Sequence, residues 1–317
     1  MTKYVVSTFR SLHEMRMISE IKQIFRGTLT PLSDRFSAAS KKMSSVSDSS
    51  KDDHLHRTQD DFRQNTVTPA VVSSITQISD TVKGLTLKVN DSNVSFKAGQ
   101  WVDYFIPGVE IFTGYSMCSA PKTLTEKGQL DLAIQFSDYP PTEWVHTKCK
   151  VDSQVSIRVG GNFYYDPKPS DPTADILLIA GGVGINPLYA MLLHVADLHE
   201  ALAKGENVHK PGKVTMLYSA RSEAELIFKD DIVKLCQNVP NIHCEFFVTK
   251  ETQSLSSVQD VSVGRINESK LKSALADMNK ENLKCYICGP PPMISSMEEY
   301  LVTLGVTKTQ IAYEKWW

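Results

Sequence analysis

The chain has 317 residues, 41% hydrophobic and 22% charged, which supports about two domains, and its net charge of -2 excludes a dedicated nucleic-acid binder. No basic RNA- or DNA-binding motif is present either. No apolar run approaches the ~20 residues that span a bilayer, and six cysteines are too sparse here for a disulfide framework, so they read as reduced, intracellular thiols.

Residues 1–65 read as a leader outside the folded domains. Within 1–43, eight Lys or Arg face three acids, and Leu12, Met15, Ile18 and Ile21 recur every three residues among Arg10, Arg16, Lys22 and Arg26. The pattern fits a basic amphipathic helix, and with it a mitochondrial transit peptide in which Glu14 and Glu20 are blemishes. A leader without an address, on a cytoplasmic protein, is the alternative. Ser33 to Ser50 is serine-rich and reads as linker.

From 66 to 171 the pattern is β-rich. Strand-length apolar runs at 71–75, 85–89, 101–105, 130–134 and 155–159, separated by Gly, Asn, Asp and Pro turn signals, predict an antiparallel β-barrel. From 172 to 317 the order alternates: strands at 176–180, 214–219, 242–249, 284–288 and about 310–314, with helices at 187–203, 223–237, 268–279 and 294–303. Alternation with crossover helices predicts a parallel, Rossmann-like sheet covered on both faces.

At the first of these units Ile176-Leu177-Leu178-Ile179-Ala180 runs into Gly181-Gly182-Val183-Gly184-Ile185-Asn186-Pro187 and a long helical pattern. Glycines open backbone angles closed to other residues and admit a ligand close to the main chain. The helix behind them aims free N–H groups and about half a positive charge at it, so strand, glycine turn and helix make a phosphate cradle. Asn186 is expected as the N-cap and Pro187 at the first helical position. Pro187 stands where the ordinary dinucleotide fingerprint has its last glycine.

Near the other end, Leu283-Lys284-Cys285-Tyr286-Ile287 reads as a buried strand that runs into Cys288-Gly289-Pro290-Pro291-Pro292-Met293. Cys285-x-x-Cys288 on a strand points its two thiols to opposite faces, which argues against a metal site, and there is no second ligand pair.

GGVGINP, followed about a hundred residues later by CGPPPM and then by a terminal Glu314-Lys315-Trp316-Trp317, resembles the ferredoxin–NADP reductase superfamily, most of all its cytochrome b5 reductase-like, NADH-using branch. The resemblance runs from about Val67 to Trp317. It implies a flavin-binding barrel, carrying FAD or FMN, ahead of an NAD(P)H-binding domain. An Arg-x-Tyr-Ser/Thr segment of the family, with tyrosine against the flavin ring, hydroxyl near N5 and arginine on the pyrophosphate, appears here as Thr113-Gly114-Tyr115-Ser116. Threonine thus replaces the bidentate, charge-assisted arginine clamp. The family's Gly-x-x-Ser/Thr at a helix start appears as Trp144-Val145-His146-Thr147, with Thr147 expected to cap that helix toward a phosphate.

The resemblance further places Gly181 to Pro187 at the dinucleotide pyrophosphate and Cys288, Gly289 and Pro290 beside the nicotinamide. Ser219 and Arg221, after the second parallel strand, fall in the region that reads the ribose 2′ position. Trp317 is the expected cover of the flavin face, and Glu314 the carboxylate that orients nicotinamide or relays a proton. Hydride would pass from nicotinamide to flavin N5, with Ser116, Cys288 and Glu314 framing the ring pair. Electrons would then pass singly to a haem, iron–sulfur or quinone acceptor that is not fused to the chain. Two rivals stand beside this reading: a non-catalytic dinucleotide-binding protein that has lost flavin, and a flavin reductase using free flavin as substrate.

Overall fold

The structure, a computed structural model, describes residues 54–250 and 261–315. The predicted leader helix, the serine-rich linker, Trp316 and Trp317 lie outside the described residues. The chain divides into two units, Met1–Gln59 and Asp60–Trp317. The described part of the first unit holds one helical turn, His54–Arg57.

In the second unit, six antiparallel strands come first: β1 (Thr68–Ser79), β2 (Val82–Val89), β3 (Trp101–Phe105), β4 (Thr113–Ser116), β5 (Gln129–Gln135) and β6 (Gln154–Gly160), in the order β4-β3-β6-β1-β2-β5. The register of β1 against β2 shifts between Val72 and Ser74 and again between Gln77 and Ser79. Such irregularities bend a strand and increase its twist, and here the sheet curls until its two ends meet. Met117, directly after β4, pairs with Leu132 of β5 and closes the barrel. Val72, Leu85, Leu87, Val102, Leu130, Leu132, Ile157 and Val159 fill its interior. Two short helices, α1 (Pro121–Lys127) and α2 (Pro140–Thr147), flank β5, each opened by proline, whose missing N–H has no partner to lose there.

The second sheet is parallel throughout. Its strands are β7 (Asp175–Gly181), β8 (Val214–Ala220), β9 (Ile242–Val248), β10 (Val261–Val263), β11 (Leu283–Cys288) and β12 (Ile311–Glu314), in the order β10-β9-β8-β7-β11-β12. Helices α3 (Ile185–Ala203), α4 (Lys229–Asn238), α5 (Glu268–Leu275) and α6 (Pro291–Thr303) cover it. From Ile176 to Gly181, β7 is buried at every position, as a strand with both faces covered requires. One face packs Leu178, Ala180, Met216 and Tyr218 against α3; the other packs Leu177, Ile179, Leu217 and Ile287 with residues of α5 and α6. Each fully buried aliphatic side chain contributes roughly 1.5–3 kcal/mol.

The chain leaves β7 in one direction through β8, β9 and β10, then returns to lay β11 on the other side of β7. The switch point of the sheet therefore lies between β7 and β11, and ligands of open α/β sheets bind at such a point, beyond the carboxyl ends of the strands. The two loops that emerge there are Gly181 to Gly184 and Cys288 to Pro290.

Candidate functional site

The two loops interlock through missing side chains. A Cβ on Gly184 would lie 2.6 Å from the carbonyl carbon of Cys288 and 2.8 Å from Gly289 N, and one on Gly289 would lie 3.1 Å from Gly181 N. Real Cβ atoms essentially never approach backbone as closely as at Gly184, and the Gly289 approach is tighter than most, so the main chains come this close because Gly184 carries no side chain and Gly289 none to push them apart. Gly182 has the opposite surroundings. Its φ is +57, a left-handed conformation, and a side chain there would meet no atom within 4 Å. The tight turn thus leaves an open face at the amino end of α3.

Helix α3 does not begin as the sequence predicts. A 3-10 turn, Gly182–Gly184, passes directly into the helix, the N-cap is Gly184, and Asn186 and Pro187 are its second and third residues. The Ile185 N–H bonds back to Gly182 and Val183 carbonyls, so the glycine turn itself nucleates the helix and Asn186 is not needed as a cap. Its amide Nδ2 instead donates to Ala133 O of β5 at 2.7 Å. Pro187 remains within the first turn, where its missing N–H is harmless. Because Ile185 N–H is bonded back into the turn and Pro187 has none, it is the glycine turn ahead of α3, with the open face of Gly182, that fits a dinucleotide pyrophosphate.

Strand register then lines up the remaining residues along one edge. Cys288 lies opposite Ala180 on one side and Glu314 on the other, and Ser219 lies opposite Gly181. Arg221 stands one residue beyond β8, exposed, its carbonyl accepting from Lys250 N. Cys288 is buried on the face that packs against α3, whereas Cys285 is buried on the other, as strand alternation demands. Cys288 is fully buried, and that burial, and secondarily the Glu314 carboxylate, push its thiol well above its ordinary range, so it stays a neutral thiol at neutral pH rather than a thiolate.

The barrel reaches the same place. Ser116, the last residue of β4 and buried, donates through Oγ to Glu314 Oε2 at 3.4 Å. Ser116, Cys288 and Glu314 are therefore brought together from both sheets. Tyr115, half-buried, points to the opposite face of β4, its ring 5.5 Å edge-on from Tyr104 and its hydroxyl 3.0 Å from Thr142 Oγ1. Burial raises its phenol, against a lowering by Thr142. Thr113 is half-buried at the start of β4, in register with Tyr104.

Thr147 is not at a helix start. It closes α2, exposed, and its hydroxyl donates to Glu143 O at 2.7 Å, one turn back. Trp144 packs against the barrel core. The helix opens at Pro140-Pro141, so the hydroxyl near its amino end is that of Thr142, buried and paired with Tyr115, which the sequence reading passed over. Pro-Pro before a helical stretch was the available signal. Trp317 lies outside the described residues.

Residues 178–299 match the family model described as an oxidoreductase NAD-binding domain. The chain is 46% identical over 268 residues to oxidoreductase NAD-binding domain-containing protein 1 of Danio rerio, covering 84% of this chain and 97% of the relative. The chain belongs to this family. Among solved structures, the CS-b5R domains of human Ncb5or in the NAD+ form are 17% identical, with a TM-score of 0.65 over 81% of this chain and 71% of that one. A ferredoxin NADP+ reductase from Neisseria gonorrhoeae with bound FAD and NADP gives a TM-score of 0.64 at 17% identity, covering 80% of this chain and 100% of that one. These likenesses show the fold: a barrel joined to a parallel nucleotide-binding sheet, as the family resemblance implies.

Proposed function

We propose that the chain is an NADH-dependent flavoprotein oxidoreductase that passes electrons to a separate haem, iron–sulfur or quinone partner. The observation that carries this reading is the Ser116 to Glu314 hydrogen bond, which joins the barrel strand bearing Tyr115 to the sheet edge bearing Cys288. The bound flavin and nicotinamide would supply the redox chemistry. Tyr115 and Thr113 would hold the flavin on the barrel, Thr113 giving a single neutral hydrogen bond where a guanidinium would give two charged ones. Gly182 and the amino end of α3 would hold the dinucleotide pyrophosphate. Cys288, small and neutral, would support the nicotinamide face without obstructing it, and Ser116 and Glu314 would fix the two ring systems at contact distance and keep water out.

NADH is favoured over NADPH by Cys288-Gly289-Pro290-Pro291-Pro292-Met293, which resembles the NADH-using branch of the family. Among the described residues no helix is long and apolar enough to cross a membrane. The basic composition of residues 1–43 supports a mitochondrial address, which imaging of a leader fusion tests.

NADH-dependent dye reduction by the purified protein tests the assignment. Tyr115→Ala and Cys288→Trp are expected to abolish it; normal turnover in both variants refutes the site. Thr113 supports one second reading, a flavin reductase that releases its flavin, whose rate would saturate with added free flavin.

A further inference from the structure

Asn186 is the second residue of α3 and 5% exposed, and its Nδ2 bonds Ala133 O of the barrel at 2.7 Å. The bond sits in an apolar seam where Cys118 and Ala133 of the barrel share a core with Ile185 and Tyr189 of α3. At the far end of the same helix Lys122 of α1 meets Glu200 at 2.7 Å, but that pair is solvent-exposed and holds weakly. The buried amide is the stiff connection.

The connection closes a ring around the candidate site. Asn186 leads to Gly184, whose missing side chain seats the backbone of Cys288 and Gly289. Cys288 is in register with Glu314, and Glu314 accepts from Ser116. Ser116 is followed by Met117, which pairs with Leu132, the neighbour of Ala133. Every link is a strand register, a backbone contact or a hydrogen bond. Among the described residues, two links of this ring cross between barrel and nucleotide domain, Ser116 to Glu314 and Ala133 to Asn186.

The other half of the Asn186 amide points away from a stability role. Oδ1 is buried with no hydrogen-bond partner among the described residues. A buried unpaired acceptor costs folding stability, and a leucine of the same shape would carry no such cost. Native structures keep such groups where position matters more than stability.

Resting on the oxidoreductase reading above, we infer that Asn186 is a positioning residue for hydride transfer, holding the nucleotide domain against β5 so that the ring pair framed by Ser116, Cys288 and Glu314 keeps its spacing. It touches neither ring. Its effect is exerted through α3 and the glycine interlock.

The test is Asn186→Leu. The melting temperature is expected to stay level or rise, and NAD+ affinity to stay within about threefold, because no contact to the dinucleotide is removed. Hydride transfer in anaerobic single-turnover mixing with NADH is expected to fall about 10- to 100-fold, with loss of the long-wavelength charge-transfer band that reports the stacked rings. Asn186→Gln, which keeps a donor, is expected to recover part of both. An unchanged rate and band in Asn186→Leu overturns the inference. A second readout needs no cofactor: amide hydrogen exchange at Ala133 and Ile134 and at the first turn of α3 is expected to quicken in Asn186→Leu, and unchanged exchange also overturns it. If Asn186→Leu fails to fold, Asn186→Ser, too short to reach Ala133, carries both measurements. Wild-type protein that cannot be reduced by NADH refutes the oxidoreductase reading itself, and exchange alone then decides whether Asn186 couples the two domains.

Discussion

Ser116 Oγ on the barrel and Glu314 Oε2 on the last strand of the parallel sheet stand 3.4 Å apart, across 198 positions of sequence. Neither sheet alone holds the whole candidate site. The barrel contributes a tyrosine and a hydroxyl, the parallel sheet a glycine turn, a neutral thiol and a carboxylate, and the contact between Ser116 and Glu314 is where the two sets join.

Ser116→Ala and Glu314→Gln are therefore expected to slow the reduction of bound flavin by NADH by about 10²-fold, with the KM for NADH changing little, since both groups act on ring geometry rather than on the dinucleotide phosphates. Stopped-flow reduction and steady-state kinetics separate the two effects. A rise in KM with kcat unchanged would place these residues in simple binding instead.

The glycines of the turn make separable predictions. Gly184→Ala forces a Cβ into the Cys288 backbone and is expected to destabilise the fold by about 1–3 kcal/mol and to disorder the nicotinamide edge. Gly182→Ala meets no neighbouring atom, so it costs only the left-handed strain, about 1–2 kcal/mol, yet it puts a methyl group on the open face. Urea unfolding and NAD+ titration of the two variants are expected to show Gly184→Ala worse for stability, and Gly182→Ala losing affinity out of proportion to its stability loss.

In the proposed flavin site, Thr113 takes the place of the arginine of the family motif. Thr113→Arg is expected to tighten FAD by roughly 1.5–3 kcal/mol, about 10- to 160-fold in Kd, the range for hydrogen bonds to charged groups. Equilibrium dialysis of the apoprotein against FAD measures this, and an unchanged Kd would mean that the pyrophosphate does not pass Thr113.

Stability is expected to fall in alkali. Burial raises the thiols of Cys118 and Cys288 and the phenols of Tyr104, Tyr115 and Tyr218, so each binds its proton more tightly in the folded chain than in the unfolded one. The sign follows: their contribution is fully present below the unfolded values, about 8.5 for Cys and 10 for Tyr, and is lost as pH rises toward the folded values. Each such group lowers stability by about 1.4 kcal/mol per pH unit within that window. Urea midpoints under reducing conditions are expected to drop from about pH 8.5, and Cys118→Ala to flatten the slope.

Most of the architecture was legible because periodicity reports burial. The run 176–180 is apolar without a break because β7 is covered on both faces, and 101–105 coincides with β3. The strand containing Thr113-Gly114-Tyr115-Ser116 went unread as a strand because it spans only four residues, too few for an alternation to register. The edge strand Val261–Val263 is shorter still. Helix starts failed for a different reason: Asn186 and Thr147 are of cap type, but the actual caps, Gly184 and Tyr139, were selected by turn geometry that residue type does not encode. Nor does a pattern reveal long-range polar pairing. Arg63, within the segment read as leader, bonds the fully buried Asp103 at 3.1 Å, as does Arg158 at 2.6 Å, a cluster drawn from three separate stretches of chain. The residues now found together, Ser116, Cys288 and Glu314, were singled out through the family motifs, whereas the role proposed for Asn186 emerges only when β5 and α3 are seen side by side.

The visible absorption spectrum of the purified protein, taken anaerobically before and after NADH, tests the central claim most directly. Flavin bands near about 375 and 450 nm that bleach on addition of NADH are the predicted result, showing bound flavin reduced by nicotinamide. A spectrum that stays featureless after FAD or FMN is supplied would contradict the account and leave a dinucleotide-binding protein without redox chemistry of its own.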